Sequence, residues 1–310
     1  MSVDESAAGV VVRDVWRHFG SVPALSGMSL SAPYGQVTAL VGPNGAGKTT
    51  LLLVLASLLR PDRGEVRVAG LDPVLDPYGV RARMGWMPDT FGLYEQLTVA
   101  EYLRFFADAY GIDRTSARSR TAELLDLVHL SEYGPQPVHV LSRGQKQRLA
   151  LTRALIHRPS VLLLDEPASG LDPRSRVELR DILRGLAAGG AAVLVSSHIL
   201  TELEEIADRL VLVSRGRTVS EHTMAELTRS AASRYRVRAT DPSALAAALG
   251  PLGVTEASAN GTGTELGPLT EDQAADLLAG LVGAGVRVVA FEPLGSNLES
   301  VYLEMTEERR

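Results

Sequence analysis

The chain has 310 residues and a formal net charge of −6, so its length favours one large and one small domain, and its charge offers no overall basic field for nucleic acid. It contains no cysteine, which excludes thiol catalysis, thiolate metal sites and disulfides. The longest largely apolar stretch, residues 51–59, is far shorter than the roughly 20 residues that cross a bilayer, and the N-terminus lacks the basic start of a signal peptide. We therefore expect a cytoplasmic protein that meets a membrane only through a membrane partner.

The first part of the chain predicts strands that alternate with helices. The apolar, β-branched run 36–42 predicts a buried strand. A Gly-rich segment follows it and leads into a helix over 51–59, which Pro61 ends. Residues 65–70 and 83–87 predict short strands.

The middle of the chain continues the alternation. Thr98 and Glu101 have capping-box spacing, which predicts a helix that begins there and runs to about Tyr110. Helices are then predicted at 115–129 and 141–156, followed by a strand at 161–167 and a helix at 174–188. A strand at 191–198, a helix at 201–208 and a hairpin at 209–221 complete this part of the chain. This order predicts a parallel sheet with helices on both faces.

The character of the sequence changes near residue 230, where SAAS at 230–233 resembles a linker. Arginine then alternates with Tyr235, Val237 and Ala239, which predicts a strand with one charged face. Residues 260–267 are Gly-rich and predict a turn, and helices are predicted near 243–249, 271–284 and 297–306. We therefore predict two domains, residues 1–228 and a small α+β domain over 229–310.

The segment between the strand at 36–42 and the next helix matches a phosphate-binding P-loop. Its glycines let successive backbone N–H groups point at phosphate oxygens, and the helix dipole adds positive potential. Lys48, one of only two lysines in the chain, would reach the β- and γ-phosphates, and Thr49 would hold Mg²⁺. The predicted nucleotide-binding residues are Gly42, Pro43, Asn44, Gly45, Ala46, Gly47, Lys48, Thr49 and Thr50.

Two acids, Asp165 and Glu166, directly follow the apolar run of the strand at 161–167. Ligands of open parallel sheets gather at the carboxyl ends of the strands, so this is the Walker B arrangement of a P-loop NTPase. Asp165 would face the Mg²⁺ shell. Successive strand residues point in opposite directions, so Glu166 is free to polarise the attacking water.

The sequence LSRGQ at 141–145 carries two interpretations. Ser142 and Gln145 have capping-box spacing, so a helix begins here in either case. The same helix start, with Gly144 close by, could also offer free N–H groups to an anion.

In combination, the P-loop, LSRGQ, VLLLDEP, ASGLD and SSH resemble the nucleotide-binding subunit of an ATP-binding cassette (ABC) transporter over residues of about 8–226. The resemblance implies a P-loop NTPase core with an antiparallel β subdomain and a helical signature subdomain. Phe19 falls where the family stacks an aromatic ring on adenine, and His198 where it senses the γ-phosphate.

The resemblance also implies that two copies, identical or different, pair head to tail. ATP would then lie between one P-loop and the signature of the other copy: Ser142, Arg143, Gly144 and Gln145. Asp172 of the D-loop would lie across the same interface. ATP and Mg²⁺ are the implied ligands, and no nucleic acid is expected.

Two positions depart from the family pattern. Arg143 stands where the signature LSGGQ has a Gly, and ordinary helical angles there would tolerate it. Asp89 stands where the family has a Gln that links Mg²⁺ and the lytic water to the membrane partner. A carboxylate can also meet Mg²⁺, so Asp89 is a further metal candidate that puts coupling in question more than ATP binding.

The segment 91–112 and the C-terminal NLESVYLEMT resemble type-2 exporter subunits, which move drugs, lipids or polysaccharides. The expected function is therefore ATP hydrolysis that drives export through a separate transmembrane permease, on the inner face of the cell membrane. The N-K-x-D or T-K-x-D motif of a GTPase is absent. The remaining alternative is a nucleotide-dependent regulatory module with weak hydrolysis.

Overall fold

The computed structural model describes residues 8–90, 92–199, 203, 205–230, 233–254, 257–260 and 263–294. The chain divides into two compact units, Met1–His222 and Thr223–Arg310. The predicted helix at 297–306 lies outside the described residues, as do residues 201, 202 and 204 of the one predicted at 201–208. The latter prediction is wrong for residues 205–208, which form a turn and a bend before β8 and not a helix. None of the helices described is long and apolar enough to cross a membrane.

The first unit contains a six-stranded sheet in the order β5-β6-β7-β3-β8-β9. Its strands are β3 (Val37–Val41), β5 (Met84–Met87), β6 (Val161–Asp165), β7 (Ala192–Ser197), β8 (Arg209–Ser214) and β9 (Arg217–Thr223). Strands β5, β6, β7, β3 and β8 are parallel. Every residue of β3, β6 and β7 is buried, as expected for strands covered on both faces.

The predicted hairpin at 209–221 is confirmed. Strands β8 and β9 are neighbours in the sheet and are joined by Arg215 and Gly216. Both residues have positive φ, 49° and 75°, which matches the type I′ turn that suits the twist of a hairpin.

An antiparallel sheet in the order β2-β1-β4 lies beside this core. It is formed by β1 (Ala8–Phe19), β2 (Val22–Pro33) and β4 (Arg63–Val68). Its inner side chains and those of the parallel sheet share one apolar cluster. The antiparallel subdomain that the family resemblance implied is therefore present.

The helices of the first unit are α1 (Lys48–Leu55), α2 (Pro77–Arg83), α3 (Val99–Ala109), α4 (Arg114–Leu127), α5 (Arg143–Leu155) and α6 (Pro173–Ala188). Both predicted capping boxes are present, Thr98 with Glu101 and Ser142 with Gln145. Helices α3, α4 and α5 have a separate apolar core that includes Tyr102. Helix α1 is shorter than predicted at its C-terminus, because Ser57 takes a left-handed φ of 58° after it.

Strand β5 is at the edge of the parallel sheet, and side chains of the α5 segment cover it. Arg153 donates from Nη2 to the Trp86 carbonyl at 3.2 Å, and His157 Nε2 lies 3.1 Å from the Met84 carbonyl. The His157 ring stacks on Tyr110 at the end of α3, with 3.8 Å between ring centroids. Two edge carbonyls of β5 are thus bonded to side chains.

The second unit begins with α7 (Met224–Ser230) and continues with β10 (Ser233–Ala239), α8 (Pro242–Leu249), β11 (Ala257–Asn260), β12 (Gly263–Leu269), α9 (Glu271–Gly283) and β13 (Val288–Leu294). Its four strands form an antiparallel sheet in the order β11-β12-β10-β13. The β-α-β-β-α-β order is that of the split β-α-β fold. The small α+β domain is confirmed.

One prediction in this unit is wrong for most of its residues. The Gly-rich segment 260–267 was expected to be a turn, but Asn260 ends β11 and Gly263–Leu269 is strand β12, while residues 261 and 262 lie outside the described residues. The strand pairs with β10 on one side and with β11 on the other, so two ladders of backbone hydrogen bonds outweigh the low strand preference of glycine.

Candidate functional site

The loop between β3 and α1 requires glycine at two of its positions. A Cβ on Gly42 would lie 2.2 Å from the Val213 carbonyl oxygen. Gly47 has a φ of +100°, and a Cβ there would lie 2.6 Å from the Ala24 carbonyl oxygen. Backbone packing against β8 and β2 therefore fixes the path of the loop, as the P-loop prediction requires.

Lys48 turns back into this loop. Its Nζ donates to the Gly42 carbonyl at 2.7 Å and lies 3.7 Å from Glu166 Oε1. The side chain is 7% exposed. Burial lowers the pKa of Lys48, and the nearby charges of Glu166 and Asp165 act in the opposite direction. The ammonium therefore sits among oxygen acceptors of the loop between β3 and α1 and of Glu166.

The two acids at the end of β6, Asp165 and Glu166, lie beside the end of β7. Asp165 is 1% exposed, and its Oδ1 accepts a hydrogen bond of 2.5 Å from Ser196 Oγ. The Glu166 N–H donates to Ser196 Oγ at 3.1 Å and to the Ser196 carbonyl at 3.2 Å. Parallel register places Asp165 opposite Ser196. Ser196 therefore supports both acids, a role that the sequence analysis did not assign.

Glu166 connects the P-loop to the histidine after β7. Its Oε2 lies 2.6 Å from His198 Nδ1, while its Oε1 faces Lys48. Glu166 is 14% exposed and His198 is 40% exposed at the side chain, so the pair is open to solvent on the His198 side. Three predicted residues from three separate elements thus meet in one site.

Two side chains of the site, Thr49 and Asp165, offer oxygen donors that suit a magnesium ion bound together with phosphate. Thr49 is exposed on the first turn of α1, and its hydroxyl and the Asp165 carboxylate are the oxygen donors that Mg²⁺ prefers. Within the described ranges, no group of three or more His, Asp or Glu side chains could hold a metal. Oxygens from another molecule would therefore have to complete the coordination.

The signature segment and the D-loop contact each other. Ser142 N-caps α5, and the Arg143 guanidinium packs against Gly170, where a Cβ would lie 2.9 Å from Cζ. Asp172 caps α6 by accepting from the Ser175 N–H and hydroxyl, and the Ser175 hydrogen bonds lower the Asp172 pKa. In the described part of the chain, no hydrogen bond or ion pair joins residues 142–145 to the P-loop.

The comparisons with known proteins decide the family. A family model described as "ABC transporter" matches residues 25–169. A daunorubicin/doxorubicin resistance ATP-binding protein of Streptomyces peucetius is 35% identical over 295 residues, which cover 93% of this chain and 89% of that protein. The chain belongs to the ATP-binding subunits of ABC transporters. Like them, it is an ATPase that couples ATP hydrolysis to transport.

Two further matches support the ABC assignment. A Nod factor export ATP-binding protein I of Burkholderia orbicola is 38% identical over 216 residues, 70% of this chain and 71% of that protein. A solved structure described as the ATP-binding subunit of an ABC transporter superposes with a TM-score of 0.66 at 30% identity, covering 71% of this chain and 92% of that chain. The ABC subunit is thus similar to export ATPases in sequence and to a cassette in structure.

Two predicted residues of this ABC subunit, Phe19 and Asp89, are exposed. Phe19, at the end of β1, is 50% exposed, and the Arg17 guanidinium lies over its ring, 5.0 Å from the centroid. Asp89 is exposed two residues beyond β5. Met87 of β5 pairs with Leu164 of β6, so Asp89 follows β5 at the same end of the strands at which Asp165 ends β6. No described contact joins Asp89 to Lys48 or Glu166.

Proposed function

We propose that this ABC ATPase drives the export of a drug-like or lipid-like compound through a separate transmembrane permease, from the inner face of the cell membrane. The cargo class follows from its relatives, which are named for daunorubicin resistance and for Nod factor export. The observation that supports the mechanism is the position of Glu166 between Lys48 and His198, 3.7 Å and 2.6 Å away.

In the proposed site, the backbone N–H groups of residues 42–50 and Lys48 bind the phosphates of ATP, and the exposed ring of Phe19 stacks on adenine. Thr49 and Asp165 hold Mg²⁺, with Asp89 as a further oxygen donor. When bound, Mg²⁺ neutralises negative charge on the phosphates. Ser196 keeps the Asp165 carboxylate in place through its 2.5 Å hydrogen bond.

Glu166 is the proposed general base. Its carboxylate accepts a proton from the attacking water, which aligns the water for attack on the γ-phosphate. His198 holds Oε2 through Nδ1 at 2.6 Å and fixes the direction of the carboxylate. Lys48 faces Oε1, so it balances the charge of Glu166 until it turns to the phosphates.

The signature belongs, in this proposal, to the ATP site of a second copy or of a related subunit. Ser142 and Arg143 are exposed at the N-terminus of α5, where the helix dipole attracts an anion. Gly144 and Gln145 are half-buried beside them. Asp172 shapes the adjoining D-loop as the cap of α6. The separation of this segment from the chain's own P-loop supports a role across a dimer interface.

The decisive variant for the proposed mechanism is Glu166→Gln. It keeps the side-chain shape but removes the basic carboxylate, so we expect the ATPase rate to fall by a hundredfold or more. ATP binding should persist, and an ATP-dependent dimer should accumulate in size-exclusion chromatography. Glu65→Gln, at an exposed glutamate that pairs with Arg13 on β1, is the matched control and should keep the wild-type rate. Wild-type turnover in Glu166→Gln would refute the mechanism.

Transport requires a separate test, because the proposed cargo class rests on the names of the relatives. The subunit is reconstituted with its permease in vesicles, and ATP-dependent movement of daunorubicin is measured by fluorescence. Export that stops with Glu166→Gln supports the proposal. A permease complex that hydrolyses ATP without moving drug-like or lipid-like compounds would contradict the cargo class. A protein that binds ATP but does not hydrolyse it would favour the regulatory alternative.

A further inference from the structure

Glu166 has a strained backbone. Its φ is +52°, in the left-handed region that residues with a Cβ avoid. Such a conformation persists only where the surroundings hold it. On the N-terminal side, Ser196 holds it by accepting from the Glu166 N–H through both Oγ and the backbone carbonyl, at 3.1 Å and 3.2 Å.

Gln147 holds the chain on the C-terminal side. This residue lies in the second turn of α5 and is 4% exposed. Its Nε2 donates to the carbonyl of Pro167, the residue directly after Glu166. The bond joins two residues that are 20 positions apart in sequence. The strained residue is therefore held by hydrogen bonds to other parts of the fold at its own N–H and at the carbonyl of the residue that follows it.

The other amide atom of Gln147 shows that packing alone does not explain this side chain. Its Oε1 is buried and finds no hydrogen-bond partner among the described residues. A buried, unpartnered acceptor is unfavourable. An apolar side chain of similar length would avoid that penalty but could not donate to Pro167. The donor function of Nε2 thus accounts for a glutamine here.

We propose that Gln147 is a positioning residue for ATP hydrolysis, which acts by holding Glu166 in its strained conformation. This inference rests on the proposed role of Glu166. Since Gln147 belongs to the same helix as Ser142 and Arg143, it also gives the signature helix a direct bond to the segment that carries the base. Small movements of α5 would then move the Glu166 carboxylate.

The test replaces Gln147 with methionine, which is similar in length and removes both the donor and the unpartnered acceptor. We expect kcat for ATP to fall about tenfold to a hundredfold, because a shift of about 1 Å at the base has effects of this size. The KM for ATP and the unfolding temperature should stay close to wild type. Gln147→Asn, whose side chain is too short to reach Pro167, should show the same loss and serves if the methionine variant does not fold.

Gln36→Met is the matched control. Gln36 also has a buried, unpartnered Oε1, but it precedes β3 at the end of the sheet opposite the P-loop. This variant should keep kcat within about twofold of wild type. An equal loss of kcat in Gln36→Met, or an unchanged kcat in both Gln147 variants, would overturn the proposal.

A double-mutant comparison separates this inference from the proposed mechanism. If Gln147 acts through Glu166, adding Gln147→Met to Glu166→Gln should leave the residual rate within about twofold. If the second substitution lowers the rate as much as it does in the wild-type background, Gln147 acts independently and the inference is wrong. Full activity of Glu166→Gln alone would instead refute the role of Glu166 itself.

Discussion

Replacing Ser196 with alanine removes one hydroxyl that serves both acids of the site. The Asp165 carboxylate loses its 2.5 Å donor while remaining buried at 1% exposure. The Glu166 N–H loses its 3.1 Å acceptor but keeps the Ser196 carbonyl at 3.2 Å. A hydrogen bond to a charged group contributes about 1.5–3 kcal/mol, so the free energy of unfolding should fall by about 2 kcal/mol.

For a unit of this size, 1 kcal/mol corresponds to about 2–4 °C, so the unfolding temperature should drop by about 4–8 °C. Differential scanning calorimetry without nucleotide measures this change, and the ATPase rate should fall in the same variant because Glu166 loses a support. Ser160→Ala is the control, since the exposed Ser160 Oγ makes only a 3.4 Å contact with the Arg83 carbonyl. A Ser196→Ala protein that melts within one degree of wild type would refute the reasoning.

Four further predictions concern Lys48, His157, Asp89 and the C-terminal unit. Lys48→Ala and Lys48→Arg should each weaken ATP binding at least tenfold, measured by titration calorimetry, without unfolding the protein. The arginine variant should fail because a planar guanidinium cannot replace a compact ammonium in the closed loop. Tight ATP binding by the arginine variant would contradict this reasoning. Burial lowers the pKa of His157, so the stability that the neutral imidazole contributes is present above about pH 6.5 and is lost as the pH falls through the lowered pKa. The acid-induced drop in unfolding temperature should therefore be smaller in His157→Phe than in the wild type. An equal drop in the two proteins would argue against this role of His157. Asp89→Gln should leave the ATP affinity within a few-fold of wild type but change how strongly the permease stimulates hydrolysis across a Mg²⁺ titration. Asp89→Ala should reduce that stimulation. Unchanged stimulation and metal dependence in both variants would show that Asp89 is a surface acid with no role in coupling. A chain that ends at Ser230 should bind ATP in the same assay, and a folded but non-binding product would show that the domain boundary or its role is wrong.

The sequence predicted best where one short segment determines both structure and chemistry. The strand, glycine loop and lysine of the P-loop are adjacent in the chain, so their arrangement follows from local geometry. The two capping boxes are local in the same sense. Helix α2 also had a local signal that the sequence analysis did not use: Asp76 caps it, and Pro77 occupies its first turn.

The sequence could not predict contacts that depend on the register of distant strands. Ser196 supports Asp165 only because β6 and β7 pair with these two residues side by side. Gln147 donates to the Pro167 carbonyl across 20 positions of the chain, a contact that no spacing in the sequence encodes. The failed turn prediction at 263–267 has a similar cause, since one of the two pairing partners of β12, strand β10, lies elsewhere in the chain.

The side chains that cover β5 have a consequence for the behaviour of the protein in solution. An uncovered edge strand can template pairing between copies and so lead to aggregation. With Arg153 and His157 bonded to the carbonyls of Trp86 and Met84, these two carbonyls on the β5 edge are already occupied and cannot accept hydrogen bonds from an incoming strand. The same two residues pack against the aromatic rings of α3. Detachment of α3 from the sheet would loosen both bonds together, so the protection against self-association depends on an intact helical subdomain.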